Sequence, residues 1–293
     1  YVQSFIGNTL KEVKDLLDKG KSVLFCGCPC QVAGLYAFLQ KDYENLFTMD
    51  LLCLYAPSPL HFKKYIDETF GKNRVLSYTF RSKINGWGHS AIIETKDGRT
   101  FKKNIHNDTF QILFHSRRLK NKACERCLFS VFPRQADITV GDFWGISNRD
   151  SSLDDKKGTS VLLINNEKGE KLLKMAQEKA VLCKETPLQW LGGNGTANNA
   201  HSQRKKFFSL FKTKSFLRAA LYALLDIPES VDIDKKSTLF RYYIRYYRYK
   251  VFSKILFGKK KQYYIEKRDK YHQYVRAFRS LKRGNNIEKA TID

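Results

Sequence analysis

The chain has 293 residues, of which 42% are hydrophobic and 14% aromatic. This composition is typical of a globular protein and excludes a disordered one, and the length suffices for one large domain or two modest ones. Lys and Arg outnumber Asp and Glu by 53 to 29, and residues 201–293 hold 24 of the basic residues but only 8 of the acidic ones. This uneven charge predicts two functional regions.

The first 70 residues alternate between helical and extended patterns. The helical stretches carry apolar residues at a spacing of three and four, and the extended stretches are short apolar runs. In chain order the predicted elements are a helix over 8–19 between Asn8 and Gly20, a buried strand over 22–26, a helix over 31–39, a strand within 46–55, and a helix from Ser58-Pro59 to Phe70. This alternation predicts strands in a largely parallel sheet.

After residue 70 the predicted strands are joined by shorter connections, and Asp97-Gly98 marks a hairpin turn. The remaining elements, in chain order, are strands over 75–80, 90–95 and 100–102, a helix over 109–119, strands over 138–140 and 161–164, a helix over 167–179, and a short strand over 181–183. We therefore expect an α/β fold with a mixed, partly parallel sheet flanked by helices.

A basic helical tail is predicted to follow this fold. The Gly- and Asn-rich stretch 192–204 is the best linker candidate, so we place a domain over 1–194, a linker over 195–204 and the tail over 205–293. Three helix-like segments follow the linker, at about 205–225, 238–257 and 263–283.

The tail interleaves Tyr with Arg over 239–252 and carries three lysines at 259–261. An amphipathic, aromatic and cationic helix suits an anionic membrane surface, and it also suits nucleic acid. The third alternative is a docking helix with a solvated basic face. Of these alternatives, we favour a membrane surface or a partner protein over nucleic acid.

Neither a signal peptide nor an apolar run of about 18 residues is visible, so we expect a cytoplasmic protein, with the basic tail as the candidate for peripheral docking at the inner membrane face. The chain begins at Tyr1 and contains only two Met, so we expect the natural chain to continue upstream.

Seven cysteines form an odd and clustered set, at positions 26, 28, 30, 53, 124, 127 and 183. A secreted disulfide framework is usually shorter, even-numbered and more evenly spread, so the pattern favours metal or redox chemistry in a reducing compartment. Cys183 is predicted to lie in the core.

Four of these cysteines are predicted to meet. Cys124 and Cys127 form a C-x2-C pair, whose two thiols converge from a tight turn. Cys30 follows Pro29 where a strand leads into a helix, and Cys53 follows the next strand. The carboxyl ends of neighbouring parallel strands face one crevice, so Cys30 and Cys53 are placed to join the pair.

Four thiolates suit zinc or an iron–sulfur cluster. Two ligands isolated in the sequence favour a 4Fe–4S cluster over zinc, and inert buried cysteines are the third alternative. The six His show no metal-binding spacing, and the glycine patterns of dinucleotide and P-loop sites are absent.

Five motifs resemble the coenzyme F420 hydrogenase/dehydrogenase beta-subunit family. The segment VLFCGCPCQVAGL is similar to its VLFTGTPCQIAGL-type segment, and LLCLYAPSP is similar to its LVCHGVPSP. FRSKINGWG, CERCLF and DITVGDFWGI resemble three further segments in the same order. The match covers about residues 1–194, the family's C-terminal catalytic domain, and members commonly carry a ferredoxin-like domain upstream.

The resemblance implies an iron–sulfur flavoprotein oxidoreductase. Its 4Fe–4S ligands are carried over to Cys30, Cys53, Cys124 and Cys127. The flavin would be FAD in preference to FMN, and electrons would pass between the cluster, the flavin and an F420-like or other hydride or electron partner. A ferredoxin-like domain or protein would be the redox partner.

The resemblance also implies cofactor-binding residues. Arg81 and Lys83 are candidates for holding flavin phosphates or an acidic substrate, and Trp87 for stacking on a ring. Asp142 and Trp144 lie in the DFWG segment, where Asp142 is a candidate for bonding a ribityl or ring group. The alternatives are a solvated strand end with a packed Trp, and a turn fixed by an Asp and a Gly.

The sequence departs from the family pattern beside these positions. Cys26 and Cys28 stand where the resemblance has threonines, and Leu54 and Tyr55 replace a His and a Gly. Gln31 is a candidate for bonding cluster sulfur or flavin. The alternative function is a zinc-bound or degenerate non-catalytic module whose basic tail binds a membrane surface, a partner protein or nucleic acid.

Overall fold

The computed structural model of the chain describes residues 2–84, 86–87, 90–104, 108–180, 182–191, 203–226 and 230. The chain divides into two compact units. Of the described residues, the parallel unit comprises those within 3–56 and 121–191, and the antiparallel unit comprises Val2, those within 57–120 and those from 203 onward. The predicted domain limits of 1–194, 195–204 and 205–293 remain predictions.

Within the described residues the strands are β1 (Val23–Gly27), β2 (Leu46–Leu51), β3 (Val75–Ser82), β4 (Ser90–Thr95), β5 (Thr100–Asn104), β6 (Ile138–Asp142) and β7 (Ser160–Ile164). The helices are α1 (Thr9–Asp18), α2 (Pro29–Leu39), α3 (Pro59–Phe70), α4 (Thr109–His115), α5 (Lys122–Glu125), α6 (Glu167–Gln177), α7 (Arg204–Phe211) and α8 (Phe216–Leu225). Short 3-10 turns span Ile146–Asn148, Ser151–Leu153 and Leu188–Leu191.

The parallel unit contains a four-stranded sheet in the order β1-β2-β6-β7. β1, β2 and β6 run parallel, and β7 runs antiparallel to β6. The predicted α/β fold with a mixed, partly parallel sheet is therefore confirmed. The core between this sheet and the helices includes Val32, Leu35 and Leu39 of α2. The prediction that the strand over 22–26 is buried is only partly right, because Phe25 is buried but Leu24 is 51% exposed.

A buried polar network joins three elements of this unit. Asp137, just before β6, accepts hydrogen bonds at Oδ2 from the backbone N–H and the hydroxyl of Thr48 on β2, at 2.7 and 3.0 Å. Its Oδ1 accepts from Nδ2 of Asn166 at 2.8 Å, and Asn166 caps α6 through the N–H of Gly169 at 3.0 Å. Since a buried polar group left without a partner costs free energy, the network fixes β6 against β2 and α6.

The antiparallel unit contains the sheet β3-β4-β5, which confirms the predicted hairpin at Asp97-Gly98. Helices α3, α4, α7 and α8 surround an aromatic cluster that includes Tyr65, Phe110 and Phe216. The carboxylate of Glu68 on α3 accepts the N–H groups of Phe216 and Leu217 at 2.7 and 2.9 Å. A carboxylate at this position satisfies free N–H groups of α8 and favours its dipole.

Three predicted elements differ in the structure. The segment 205–225 forms two helices, α7 and α8, because Ser215 begins a new helix by accepting the N–H of Arg218. The helix predicted over 109–119 ends at His115, and Arg117 adopts the left-handed conformation, with φ of 59°. The strand predicted over 181–183 is wrong at Leu182 and Cys183, which lie in irregular chain.

The other tail segments, 238–257 and 263–283, lie outside the described residues, as do residues 192–202 of the linker candidate. Among the helices that the structure describes, none combines the length and the apolar character needed to cross a membrane.

A buried histidine links α3 to α7 in the antiparallel unit. His61 is 4% exposed and meets the rings of Phe207, Phe208 and Phe211 edge-on, at centroid distances of 4.7 to 5.6 Å. Its Nδ1 has no hydrogen-bond partner. Burial, together with the positive charges of Arg204 and Lys64, lowers the pKa of His61 from 6.5 to about 4.

We expect this histidine to make folding pH-dependent. Between pH 6.5 and pH 4 the unfolded chain binds a proton at His61 that the folded chain does not, so stability falls as the pH falls, by about 2 to 3 kcal/mol. Replacing His61→Leu removes this contribution. Urea unfolding of both proteins at pH 7 and pH 4 measures it: the wild type should lose more stability than the variant, and an equal loss in both would contradict the prediction.

Candidate metal and cofactor site

The parallel strands β1, β2 and β6 end at the same edge of the sheet. Cysteines follow β1 and β2 at this edge. β1 ends at Gly27 and is followed by Cys28 and Cys30, and β2 ends at Leu51 and is followed by Cys53. The strands are in register, with Gly27 paired with Asp50. The carboxyl edge of a parallel sheet is where ligands commonly bind in α/β proteins.

The first turn of α2 holds two of these cysteines. Cys28 is the N-cap residue in extended conformation, and Pro29 begins the helix, which suits its fixed φ and missing N–H. The side chain of Gln31 folds back towards the N-cap residue, and its Oε1 accepts a hydrogen bond from the N–H of Cys28 at 2.8 Å. Both thiols therefore lie at the positive end of an 11-residue helix.

A tight turn at the end of β2 positions Cys53. The N–H of Leu52 donates to the carbonyl of Val140 at 2.8 Å and continues the ladder to β6. The N–H of Cys53 then donates to the carbonyl of Leu51 at 2.7 Å, which closes a three-residue turn. Gly141 makes room for this turn, because a Cβ there would lie 2.6 Å from the side chain of Leu52.

A buried ion pair supports the same turn. Nη2 of Arg134 donates to the carbonyl of Leu51 at 2.8 Å and lies 3.3 Å from Oδ1 of Asp50. Both side chains are fully buried. Nη1 of Arg134 and Oδ2 of Asp50 have no hydrogen-bond partner in the structure. Breaking such a pair leaves one buried charge uncompensated, which is strongly destabilising.

The second pair of cysteines comes from the loop before β6. Asn121 begins the short helix α5, and its carbonyl accepts the N–H of Cys124 at 3.0 Å. The thiols of Cys124 and Cys127 both interact electrostatically with the thiol of Cys30, and Cys124 also interacts with Cys53. The structure thus brings the four predicted ligands into one region.

A fifth thiol belongs to this group. The thiols of Cys28 and Cys53 influence each other's ionisation. The interaction with Cys53 lowers the pKa of Cys28 to about 7 against the opposing effects of burial and of Asp50. The interaction with Cys28, together with burial and the neighbouring thiols, raises the pKa of Cys53 well above its usual range. We call Cys28, Cys30, Cys53, Cys124 and Cys127 the thiol group.

The predicted ligand set left out Cys28, which was grouped with Cys26 among the departures from the family pattern. The structure separates the two: Cys26 is exposed, and burial alone raises the pKa of its thiol, whereas the pKa of Cys28 responds to Cys53. The position of Cys28 at the junction of strand and helix could have revealed this, since the same argument selected Cys30. Cys183, predicted to lie in the core, is exposed instead, with its Sγ 3.9 Å from Nε2 of Gln177. The prediction failed because the chain around Cys183 forms no strand.

Three further candidates lie in the parallel unit. Gln31 makes a second hydrogen bond through Nε2 to the hydroxyl of Ser4 at 3.1 Å, so its side chain fixes the start of α2. Asp142 is the last residue of β6, and Trp144 follows it with 41% of its surface exposed. Gly145 then adopts a left-handed conformation, with φ of 79°, so the turn that presents Trp144 requires a glycine.

The other candidates, Arg81, Lys83 and Trp87, belong to the antiparallel unit. Arg81 lies on β3 and is half-buried, and Lys83 follows that strand and is exposed. Trp87 is half-buried.

The donor chemistry of the thiol group fits an iron–sulfur cluster. Cysteine thiolates are the usual ligands of such clusters, one for each iron of a 4Fe–4S centre. Cys30, Cys53, Cys124 and Cys127 would each supply one thiolate to such a cluster. Among the described residues, no three or more His, Cys, Asp or Glu side chains are arranged to hold a metal ion.

The fold and this edge define an α/β protein with a cysteine-rich site at the ends of its parallel strands. Residues 20–188 match the family model for the C terminus of the beta subunit of coenzyme F420 hydrogenase/dehydrogenase. The chain belongs to this family, as its motifs had predicted. Membership points to an oxidoreductase.

One solved structure with a similar chain is a xenon derivative of the F420-reducing NiFe hydrogenase complex from Methanosarcina barkeri. The two chains are 15% identical, with a TM-score of 0.38, over 63% of this chain and 58% of the other. The match thus spans little more than half the length of the hydrogenase chain.

Two glycine substitutions test how the turn at Cys53 is held. Gly141→Ala places a methyl group against Leu52. We expect it to destabilise the protein by about 1 to 3 kcal/mol, because the backbone hydrogen bonds of Leu52 and Cys53 prevent the turn from shifting to make room for the methyl group. Gly34→Ala in α2 is the matched control: nothing lies within 4 Å of its added methyl group, so it should stabilise by about 0.5 to 1 kcal/mol. Urea midpoints measure both, and equal effects would contradict this account of Gly141.

Proposed function

We propose that the chain is an iron–sulfur flavoprotein oxidoreductase that passes electrons between a 4Fe–4S cluster, a flavin and an F420-like or other hydride or electron partner. The observation that carries the proposal is that Cys30 and Cys53 follow the carboxyl ends of neighbouring parallel strands, and that Cys124 and Cys127 both interact electrostatically with Cys30. When bound, the cluster would supply single-electron transfer, and the flavin would connect it to hydride chemistry.

Cys30, Cys53, Cys124 and Cys127 are the proposed cluster ligands. One feature of the parallel unit would favour a negatively charged group there. The N-terminal end of α2 directs its N–H groups and its positive dipole end towards the region of Cys28 and Cys30. Arg134, paired with Asp50, would act by position, because it holds the carbonyl of Leu51 in the turn that carries Cys53.

The proposed flavin residues are Gln31, Asp142 and Trp144 in the parallel unit and Arg81, Lys83 and Trp87 in the antiparallel unit, with FAD favoured over FMN. Trp144 offers an exposed indole for stacking beside the strand end. Leu54 follows Cys53 at the position where the resemblance has a histidine. An apolar side chain transfers no proton, so the substrate of this chain would receive or lose its proton through another group.

A ferredoxin-like domain or protein is the proposed source or acceptor of electrons. For the basic tail, we propose docking to a partner or to an anionic membrane surface at the cytoplasmic face. Both proposals rest on sequence patterns, the second on residues beyond the described part of the chain.

Single Cys→Ser variants test the ligand assignment. After anaerobic reconstitution with iron and sulfide, the Cys53→Ser variant should retain less than about half of the iron of the wild type, because an oxygen ligand binds a cluster poorly. Cys183→Ser is the matched control, since Cys183 is exposed and outside the thiol group. Iron per chain and visible absorbance are the measurements, and unchanged iron in Cys53→Ser would remove Cys53 from the ligand set.

A further inference from the structure

A buried carboxylate in the antiparallel unit binds two tyrosines that the proposed function does not use. Asp108, just before α4, accepts the hydroxyl of Tyr65 on α3 at 2.5 Å and the hydroxyl of Tyr78 on β3 at 2.9 Å. Both hydroxyls donate to the same oxygen, Oδ2, while Oδ1 accepts the backbone N–H of Gln111 at 2.8 Å. The carboxyl group of Asp108 therefore acts only as an acceptor, which is the behaviour of its ionised form.

The surroundings of this carboxylate make it a stronger base than an aspartate on the surface. Asp108 is fully buried, and Tyr65 is only 1% exposed. Burial raises the pKa of Asp108, because the charged form loses its hydration. Burial and the charge of Asp108 raise the pKa of Tyr65 well above its usual range, so Tyr65 keeps its hydroxyl proton at neutral pH. A protonated phenol is thus hydrogen-bonded to a desolvated base.

We propose that Tyr65 is a redox-active tyrosine that passes its proton to Asp108 when it loses an electron. A phenol that loses one electron becomes a very strong acid, so its oxidation is favoured where a base takes the proton at once. In this step a strong one-electron oxidant takes one electron, the O–H bond of Tyr65 breaks, and an O–H bond forms at Oδ2 of Asp108. The products are a neutral tyrosyl radical, a protonated carboxyl group and the oxidant reduced by one electron.

The aromatic rings around Tyr65 shield it from water and provide a path for the electron. The rings of Phe110 and Phe216 lie at centroid distances of 5.7 and 5.6 Å, and their packing keeps the radical away from reactants in solution. The ring of Tyr78 lies 6.5 Å away and is only half-buried, so an electron can tunnel through it to an external oxidant. The shorter hydrogen bond and the deeper burial select Tyr65 over Tyr78 as the site of the radical.

A tyrosine–aspartate pair in the parallel unit provides a matched control. Tyr43 is also buried, and its hydroxyl donates to Oδ1 of Asp18 at 2.6 Å. Asp18, however, is exposed, and its hydrogen bonds with Lys14 and Tyr43 lower the pKa of its carboxyl group to about 2. Asp18 is therefore a weak base, so a hydrogen bond of similar length gives Tyr43 no effective acceptor for its proton.

Flash photolysis of the full-length protein tests the inference, with a ruthenium trisbipyridine complex as the light-driven oxidant and a cobalt complex as the electron acceptor. Electron paramagnetic resonance should detect a tyrosyl radical that outlives the radicals of exposed tyrosines, because its burial prevents coupling to a second radical. The persistent signal should be lost in Tyr65→Phe and retained in Tyr43→Phe. The inference does not rest on the cluster or the flavin of the proposed function, and neither is needed for this test.

Asp108→Asn tests the role of the base. Asn keeps the shape of the side chain and is a favoured N-cap residue, so this variant should fold. Formation of the persistent radical should slow by about a hundredfold, since a positioned base contributes roughly that factor to a proton transfer. In the wild type the rate of formation should not change with buffer concentration, because the proton stays inside the protein. A purely structural network would show neither effect.

Difluorotyrosine incorporated at position 65 identifies the radical even where Tyr65→Phe does not fold, because fluorine nuclei beside the phenol oxygen split its resonance signal. The proposal is overturned if the wild type forms no persistent radical, if the persistent signal remains in Tyr65→Phe, or if the fluorinated protein shows no such splitting. It is also overturned if Asp108→Asn forms the radical at the wild-type rate, or if Tyr43→Phe loses the signal as completely as Tyr65→Phe.

Discussion

The backbone carbonyl of Leu51 accepts two hydrogen bonds at the point where the second strand ends. One comes from the N–H of Cys53 and closes the turn that carries its thiol, and the other comes from the buried guanidinium of Arg134. Arg134 follows the C-x2-C pair in sequence and is itself held by Asp50 of the same strand. The proposed site therefore depends on one carbonyl oxygen that links strand end, turn and loop.

A buried ion pair of this kind is weak support for stability but can fix a structure in one arrangement, because alternatives would leave a charge unpaired. Here the arrangement that it fixes is the approach of the loop before β6 to the end of β2. The close packing of Gly141 against Leu52 acts at the same place, from the neighbouring strand. The position of Cys53 is thus held by packing, by backbone hydrogen bonds and by a buried charge. Cys28 and Cys30 are positioned separately, by the first turn of α2.

The sequence was sufficient for much of the fold. Ser58-Pro59, Asp97-Gly98 and the alternating apolar runs are local signals, so they predicted α3, the β4–β5 hairpin and the parallel strands. The breaks that it missed depend on tertiary contacts: α8 begins separately from α7 where Glu68 accepts its first N–H groups. Cys183 was misplaced for a related reason, since an apolar neighbourhood in sequence does not guarantee a strand that buries it.

The general location of the site was predictable because neighbouring parallel strands end at one edge of the sheet. The contacts that hold its residues in place were not predictable. The position of Cys53 depends on a three-residue turn that no pattern in LLCLYAPSP specifies, and Arg134 showed no sequence feature that would single it out. The family resemblance gave no reason to include Cys28, because the matching position in the family segment is a threonine.

The central claim is that these cysteines carry an iron–sulfur cluster, and metal analysis of the protein purified without oxygen tests it most directly. The account predicts about four iron and four sulfide per chain, with a brown colour and broad visible absorption. A colourless protein with one zinc per chain and no iron would contradict it, and would favour a zinc-stabilised module in place of an electron-transfer enzyme.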